Sequence, residues 1–167
     1  MTSGSADSGS PIVTGPPRGP VDLPGVPDGV VLYDGVCVLC SNWFGFVARR
    51  DKAARFRFTQ IQGDYGRSLA ARTGIDPDTP ETNAVFIDGK AYFRSDAALM
   101  VLLNLPRWSI AARLMLAVPR LFRDFLYDRI ARNRYRLFGR TETCLVPGPE
   151  LRRHLLPEPI HFDRIGL

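Results

Sequence analysis

The sequence predicts a mixed α/β fold: a βαβ-ββα core around a four-stranded mixed sheet, with additional C-terminal helices. Three observations predict it. From residue 29, strand-like and helix-like stretches follow the order β-α-β-α-β-β-α. In "NAVFIDGKAYFRS", Asp88-Gly89 divides two apolar runs, a dipeptide that favours a tight hairpin turn. A Cys-x-x-Cys pair, Cys37 and Cys40, follows the first strand directly.

Residues 1–28 hold many Gly, Pro and Ser and almost no apolar periodicity, and are expected to be a disordered tail. "GVVLYDG", from Gly29, reads as a buried strand closed by a turn. In "CVLCSNWFGFVARRDK", Cys40, Trp43, Phe44 and Val47 fall on one face of a helix. Arg49, Arg50 and Lys52 suit its C-terminus, and Gly45 weakens it slightly. "RFRFTQI" alternates, so it is a strand with one apolar face. Residues 64–73 form a short helix ended by Gly74. "DPDTP" is a loop, and the hairpin follows. Ser95 is placed to cap the helix "DAALMVLLNL", which Pro106 ends. Residues 108–117 are helical again. "PRLFRDFLYDRIARNRYRLFG" is a long amphipathic helix, with Pro119 at its start and Gly139 after its end. In "ARNRYRLFGR", Tyr135 and Phe138 are expected to pack inward. The domain spans 29–147, and 148–167 is expected to be an irregular tail. A parallel βαβ unit, then a hairpin, with Cys-x-x-Cys after the first strand, is the thioredoxin-like plan.

A chain of 167 residues, 45% hydrophobic and 23% charged, fits one globular domain. Three cysteines are too few for a disulfide-stapled scaffold, and residues 1–20 lack the features of a signal peptide. A reducing cytoplasmic setting is therefore expected. There a Cys-x-x-Cys is catalytic or metal-binding rather than structural. The net charge of +5 is unevenly placed: residues 107–140 hold nine Arg against Asp124 and Asp128. Such a run reads first as a solvated helix face. Nucleic acid is not expected as a partner, because no recognised binding motif accompanies the charge. The most apolar window, 97–118, contains Asn104, Arg107 and Arg113. It is a poor membrane span, though peripheral contact with a membrane surface stays open.

Disulfide exchange needs a thiolate and a second thiol that resolves the mixed disulfide. Cys37 falls at the start of the helix and Cys40 one turn later, on nearly the same side. The helix N-terminus favours negative charge on the Cys37 sulfur and should leave it exposed. Cys37 is therefore the candidate nucleophile, and Cys40, more buried, the candidate resolving thiol. Asp34, three residues before Cys37, is the third candidate. It is either a proton acceptor for Cys40 or a cap for the N–H groups of the following helix. Gly35 permits the tight strand-to-helix turn.

The stretch "LYDGVCVLCSNWFGFVARRD" resembles the DCC family of thiol-disulfide oxidoreductases, named for an Asp-Cys-Cys pattern, here Asp34, Cys37 and Cys40. The similarity continues through "RFRFTQIQ", "FRSDAAL" and "DRIARNRYRLFGR", covering roughly residues 29–147. The resemblance implies a thioredoxin-like fold and protein-disulfide reductase activity. A protein or small-molecule disulfide would be the substrate, with a reductant that the residues do not identify and no cofactor. Thioredoxin-like enzymes place a cis-proline before the third core strand, facing the cysteines. Here Pro80 falls one residue early, and Glu81 or Thr82 takes the facing position, where a polar side chain could donate to the active-site sulfur.

Two other readings compete. Cys37, Cys40, Cys144 and His154 could form a Cys₃His zinc set, although no second close pair exists. Alternatively the basic helix is the surface of an interaction module. Cys144 reads as an inert thiol, and His154 and His161 as surface residues.

Overall fold

The computed structural model describes residues 16–141 and 149–156. Strand β1 (Val21–Asp22) is followed by β2 (Val30–Tyr33), helix α1 (Val38–Arg50), β3 (Arg57–Gln60) and α2 (Asp64–Thr73). The hairpin β4 (Ala84–Ile87) and β5 (Lys90–Phe93) leads into α3 (Arg94–Leu103), α4 (Ser109–Leu116), α5 (Arg120–Phe138) and α6 (Pro149–Arg152). The strands lie in the order β1-β5-β4-β2-β3. β2 and β3 are parallel, and β2–β4, β4–β5 and β5–β1 are antiparallel. This is the thioredoxin-like plan, with five strands where the sequence predicts four.

The extra strand lies in the segment expected to be a disordered tail. Val21 and Asp22 pair with Ala91 and Lys90, the Leu23 N–H donates to the Gly89 carbonyl at 2.8 Å, and Val26 is buried. A two-residue strand has no periodicity to read. Its role is to cover the open edge of β5.

Alternation along the strands builds a core on each face of the sheet. Val31, Tyr33, Phe58, Val85 and Ile87 pack with Phe44 and Val47 of α1 and Val101 of α3. Val30, Leu32, Ala84 and Phe86 pack with Leu69 and Ala70 of α2. The first layer sets the position of α1, and with it both cysteines.

Several local expectations change. Ser95 does not cap α3: the helix begins at Arg94, and the Ser95 hydroxyl donates to the Asp124 carboxylate on α5. The aromatics of α5 divide: Tyr135 packs against the core as expected and Tyr127 reaches Thr82, while Phe138, expected inside, is exposed together with Phe122 and Phe125, and Arg123 and Arg134 are buried. The described part of the C-terminal segment holds α6 and then runs beside β3. The Phe58 N–H donates to the His154 carbonyl and the Leu156 N–H to the Phe58 carbonyl.

Two glycines within helices should respond oppositely to alanine. A Cβ on Gly66 would lie 1.8 Å from the Gln60 carbonyl oxygen, so α2 could not keep its seat against the end of β3. Gly66→Ala should cost at least about 2 kcal/mol of unfolding free energy. The atoms nearest a Cβ on Gly45 would belong to the movable Arg49 guanidinium, at 3.4 Å and beyond. Gly45→Ala should stabilise by about 0.5–1 kcal/mol. Denaturant unfolding of both variants checks the two signs.

Candidate active site

The site forms where β2 ends. Asp34, Gly35 and Val36 turn the chain into α1, and Cys37 is the N-cap residue of that helix. The Cys37 sulfur accepts a hydrogen bond from the Cys40 backbone N–H at 3.3 Å, where a Ser or Asp oxygen often sits in helix caps. The turn is tight. Gly35 lies against Gln60, whose side chain would be 2.8 Å from an added Cβ, and its N–H donates to Gln62 Oε1 at 3.0 Å.

The two thiols differ in their electrostatics. The Cys37 pKa falls from 9.0 to about 7. The hydrogen bond from the Cys40 thiol is the largest cause. The Cys40 backbone N–H and the Arg134 charge add to it, while burial and the Asp34 carboxylate oppose. Cys40 moves the other way: its hydrogen bond to Cys37, burial and the Cys37 charge all push its thiol up.

Both cysteines are buried, Cys37 at 0% exposure and Cys40 at 5%. The sequence places Cys37 in the open at a helix start; the structure does not. The chain leaving α5 runs back beside the active-site turn. The Val38 N–H donates to the Gly139 carbonyl at 3.5 Å and the Thr141 N–H to the Val36 carbonyl at 2.9 Å, with Cys37 and Arg140 in an antiparallel bridge. This strap comes from a hundred residues downstream, so local helix geometry does not reveal it.

Asp34 is 1% exposed, and both carboxylate oxygens are occupied. Oδ1 accepts from the Val36 N–H at 3.2 Å and from Gln62 Nε2 at 2.8 Å. Oδ2 accepts from Arg134 Nη2 at 2.9 Å and from the Tyr135 hydroxyl. Asp34 thus fastens the turn rather than the helix N–H groups, and hydrogen-bonds neither thiol. Arg134, 4% exposed, also donates to the Pro80 carbonyl and the Tyr135 hydroxyl.

No peptide bond among the described residues is cis. Of the two residues expected to face the cysteines, Glu81 is exposed, and the Thr82 hydroxyl is held by Tyr127 and the Arg94 N–H. Asn83 takes the position instead, with Nδ2 3.8 Å from the Cys40 sulfur. Cys40 also lines a cavity of about 300 Å³ whose walls are mainly apolar, including Trp43 and Phe138. Asn83 Oδ1, Arg94 Nε and Arg134 Nε, on residues lining the same cavity, are buried without a hydrogen-bond partner.

Sequence reasoning missed Asn83, Tyr127, Arg134 and Tyr135 as parts of this site. A signal existed for two of them. Arg123, Tyr127 and Arg134 share one face of α5, and polar side chains on the buried face of a helix call for a partner.

Cys144 and His161 lie outside the described residues. His154, expected at the surface, is fully buried. Its Nδ1 is 3.2 Å from the Phe56 carbonyl and 3.7 Å from Asp51 Oδ2, because its backbone extends the sheet beside β3. Among the described residues no group of three or more His, Cys, Asp or Glu side chains could hold a metal ion.

Residues 31–140 match the family model of the DCC1-like thiol-disulfide oxidoreductases. The uncharacterized protein YuxK of Bacillus subtilis (strain 168) is 36% identical over 133 residues, 79% of this chain and 96% of that protein. The DCC family protein At1g52590, chloroplastic, of Arabidopsis thaliana is 36% identical over 117 residues, 69% of this chain and 67% of that protein. No solved structure matches. With its Asp34, Cys37 and Cys40 pattern at the start of α1, the chain belongs to the DCC1-like thiol-disulfide oxidoreductase family.

Proposed function

We propose that the protein catalyses thiol-disulfide exchange with Cys37 as nucleophile and Cys40 as resolving thiol. The observation that carries this reading is the opposite displacement of two thiols one helical turn apart: Cys37 down to about 7, Cys40 up. The Cys37 thiolate attacks one sulfur of a protein or small-molecule disulfide. That S–S bond breaks, its electron pair leaves on the other sulfur, and that sulfur takes up a proton. Cys37 is fully buried, so the strap at Gly139–Thr141 parts from the turn for this approach.

Resolution follows from the same electrostatics. Once Cys37 carries substrate, it has no negative charge and no longer accepts the Cys40 thiol proton. Two of the causes that hold the Cys40 pKa up are then gone. Cys40 loses its proton, attacks the Cys37 sulfur and releases the second substrate thiol. Two electrons and two protons pass from the cysteine pair to the substrate disulfide, and an external dithiol reverses the exchange. The cavity beside Cys40 supports a substrate that presents an apolar group there. On this reading Asp34 is a positioning residue. It holds Arg134 beside the thiols and leaves Cys40 to deprotonate without a dedicated base.

Cys40→Ser should trap a mixed disulfide at Cys37 with a model disulfide, seen by mass spectrometry. Thr141→Pro, which deletes the N–H bound to the Val36 carbonyl, should speed its formation. A substrate adduct on Cys40 in Cys37→Ser, with none on Cys37 in Cys40→Ser, would reverse the roles.

The attack rate should rise about tenfold per pH unit below the Cys37 pKa of about 7 and level off above it, since only the thiolate reacts. Arg134 lowers that pKa, so Arg134→Gln should move the inflection to higher pH. An inflection that stays put or moves down excludes the electrostatic role of Arg134.

Asp34→Asn leaves the Arg134 guanidinium buried without its counter-charge. It should cost about 3–5 kcal/mol of stability, measured by denaturant unfolding. A variant of unchanged stability that resolves the mixed disulfide more slowly would instead make Asp34 the proton acceptor for Cys40.

A further inference from the structure

We propose that α4 and the first half of α5 form a docking face for an anionic phospholipid bilayer. Ile110, Leu114, Leu121, Phe122 and Phe125 are each between 65% and 73% exposed. Met115, Leu116, Val118 and Leu126 extend the patch across the turn between the helices. Soluble monomers rarely expose so many large apolar side chains on consecutive helices without a use for them.

Charge identifies the occupant. Arg107, Arg113, Arg129 and Arg136 are exposed, and none has an acidic partner among the described residues. From residue 107 to 140 the acidic residues are Asp124 and Asp128. Both are occupied, Asp124 by Ser95 and Asp128 by Arg94 and Arg132. The patch therefore combines protruding Phe, Leu and Ile with unneutralised guanidinium groups, which suits acyl chains and lipid phosphates respectively.

A second copy of the chain fits less well. A two-fold contact through this face would set arginines against arginines, with Asp124 the one carboxylate of the segment outside an ion pair to separate them. Side chains two-thirds exposed stand proud as a ridge, which enters a deformable bilayer interface without needing a shaped groove. No helix among the described residues is long and apolar enough to cross a membrane, so the contact lies in the plane of the interface.

The test is co-sedimentation of the full chain with phosphatidylcholine vesicles, with and without about one-third phosphatidylglycerol. Partition should be roughly tenfold or more stronger onto the anionic vesicles. The triple variant Leu121→Ser, Phe122→Ser, Phe125→Ser should abolish it. The triple variant Arg113→Gln, Arg129→Gln, Arg136→Gln should reduce it to the level seen with neutral vesicles. All six side chains are exposed, and a circular dichroism melt of each variant verifies the fold. Failure to sediment with either vesicle overturns the proposal, as does equal binding to both. A stable dimer that the serine variant dissociates, without vesicle binding, would assign the face to a second copy instead. The thiols take no part, so Cys37→Ser should sediment like the unaltered chain.

Discussion

The ion pair between Asp34 and Arg134 joins the two halves of the structure. Asp34 closes the turn between β2 and α1, and Arg134 lies on α5, a hundred residues further on. Both side chains are buried, at 0% and 4% exposure, so each charge needs the other. The Arg134 bond to the Pro80 carbonyl adds the loop before β4 to the same junction. The active-site turn, that loop and α5 are thus assembled around one buried guanidinium. Its specificity is geometric: the planar cation donates to a carboxylate, a backbone carbonyl and a phenol. With α5 fixed, the residues that follow it can reach the Cys37 turn.

The difference between the two thiols comes first from the hydrogen bond between them, to which the Arg134 charge adds a smaller contribution at Cys37. Helix N-caps commonly use an oxygen to accept the first free N–H groups. Here a sulfur does so, and the helix therefore favours the charged form of its own cap residue. Cys40, one turn inside the helix, is both the donor and the group held protonated. Identical side chains acquire opposite tendencies because one accepts the hydrogen bonds that the other's thiol and backbone N–H donate.

Helix α5 has its polarity partly reversed. Its buried face carries Arg123, Tyr127 and Arg134, each engaged with polar groups of the core domain. Arg123 and Arg120 converge on Asp96 of α3, and Arg94 pairs with Asp128. Docking by ion pairs and hydrogen bonds leaves the apolar side chains of the helix outside. The same arrangement that holds the turn before the two cysteines thus leaves those apolar side chains exposed.

Much of the fold was legible because its signals are local. Period-two alternation at 55–59, the Asp88-Gly89 turn and the one-turn spacing of Cys37 and Cys40 are set within a few residues. They determined the order of the core strands and helices, the thioredoxin-like plan and the identity of the thiol pair. Strand β1 was not legible, since two residues paired to a distant edge leave no periodic trace. Nor was the burial of Cys37, beside which Gly139–Thr141 runs, or that of His154, whose backbone runs beside β3. Arg134 read as one more charge in a basic run until α5 was seen to turn that face toward Asp34. The sequence by itself determined which groups could do the chemistry. Tertiary structure alone decided which are buried, paired and perturbed, because burial and pairing arise from contacts between segments that share no local pattern.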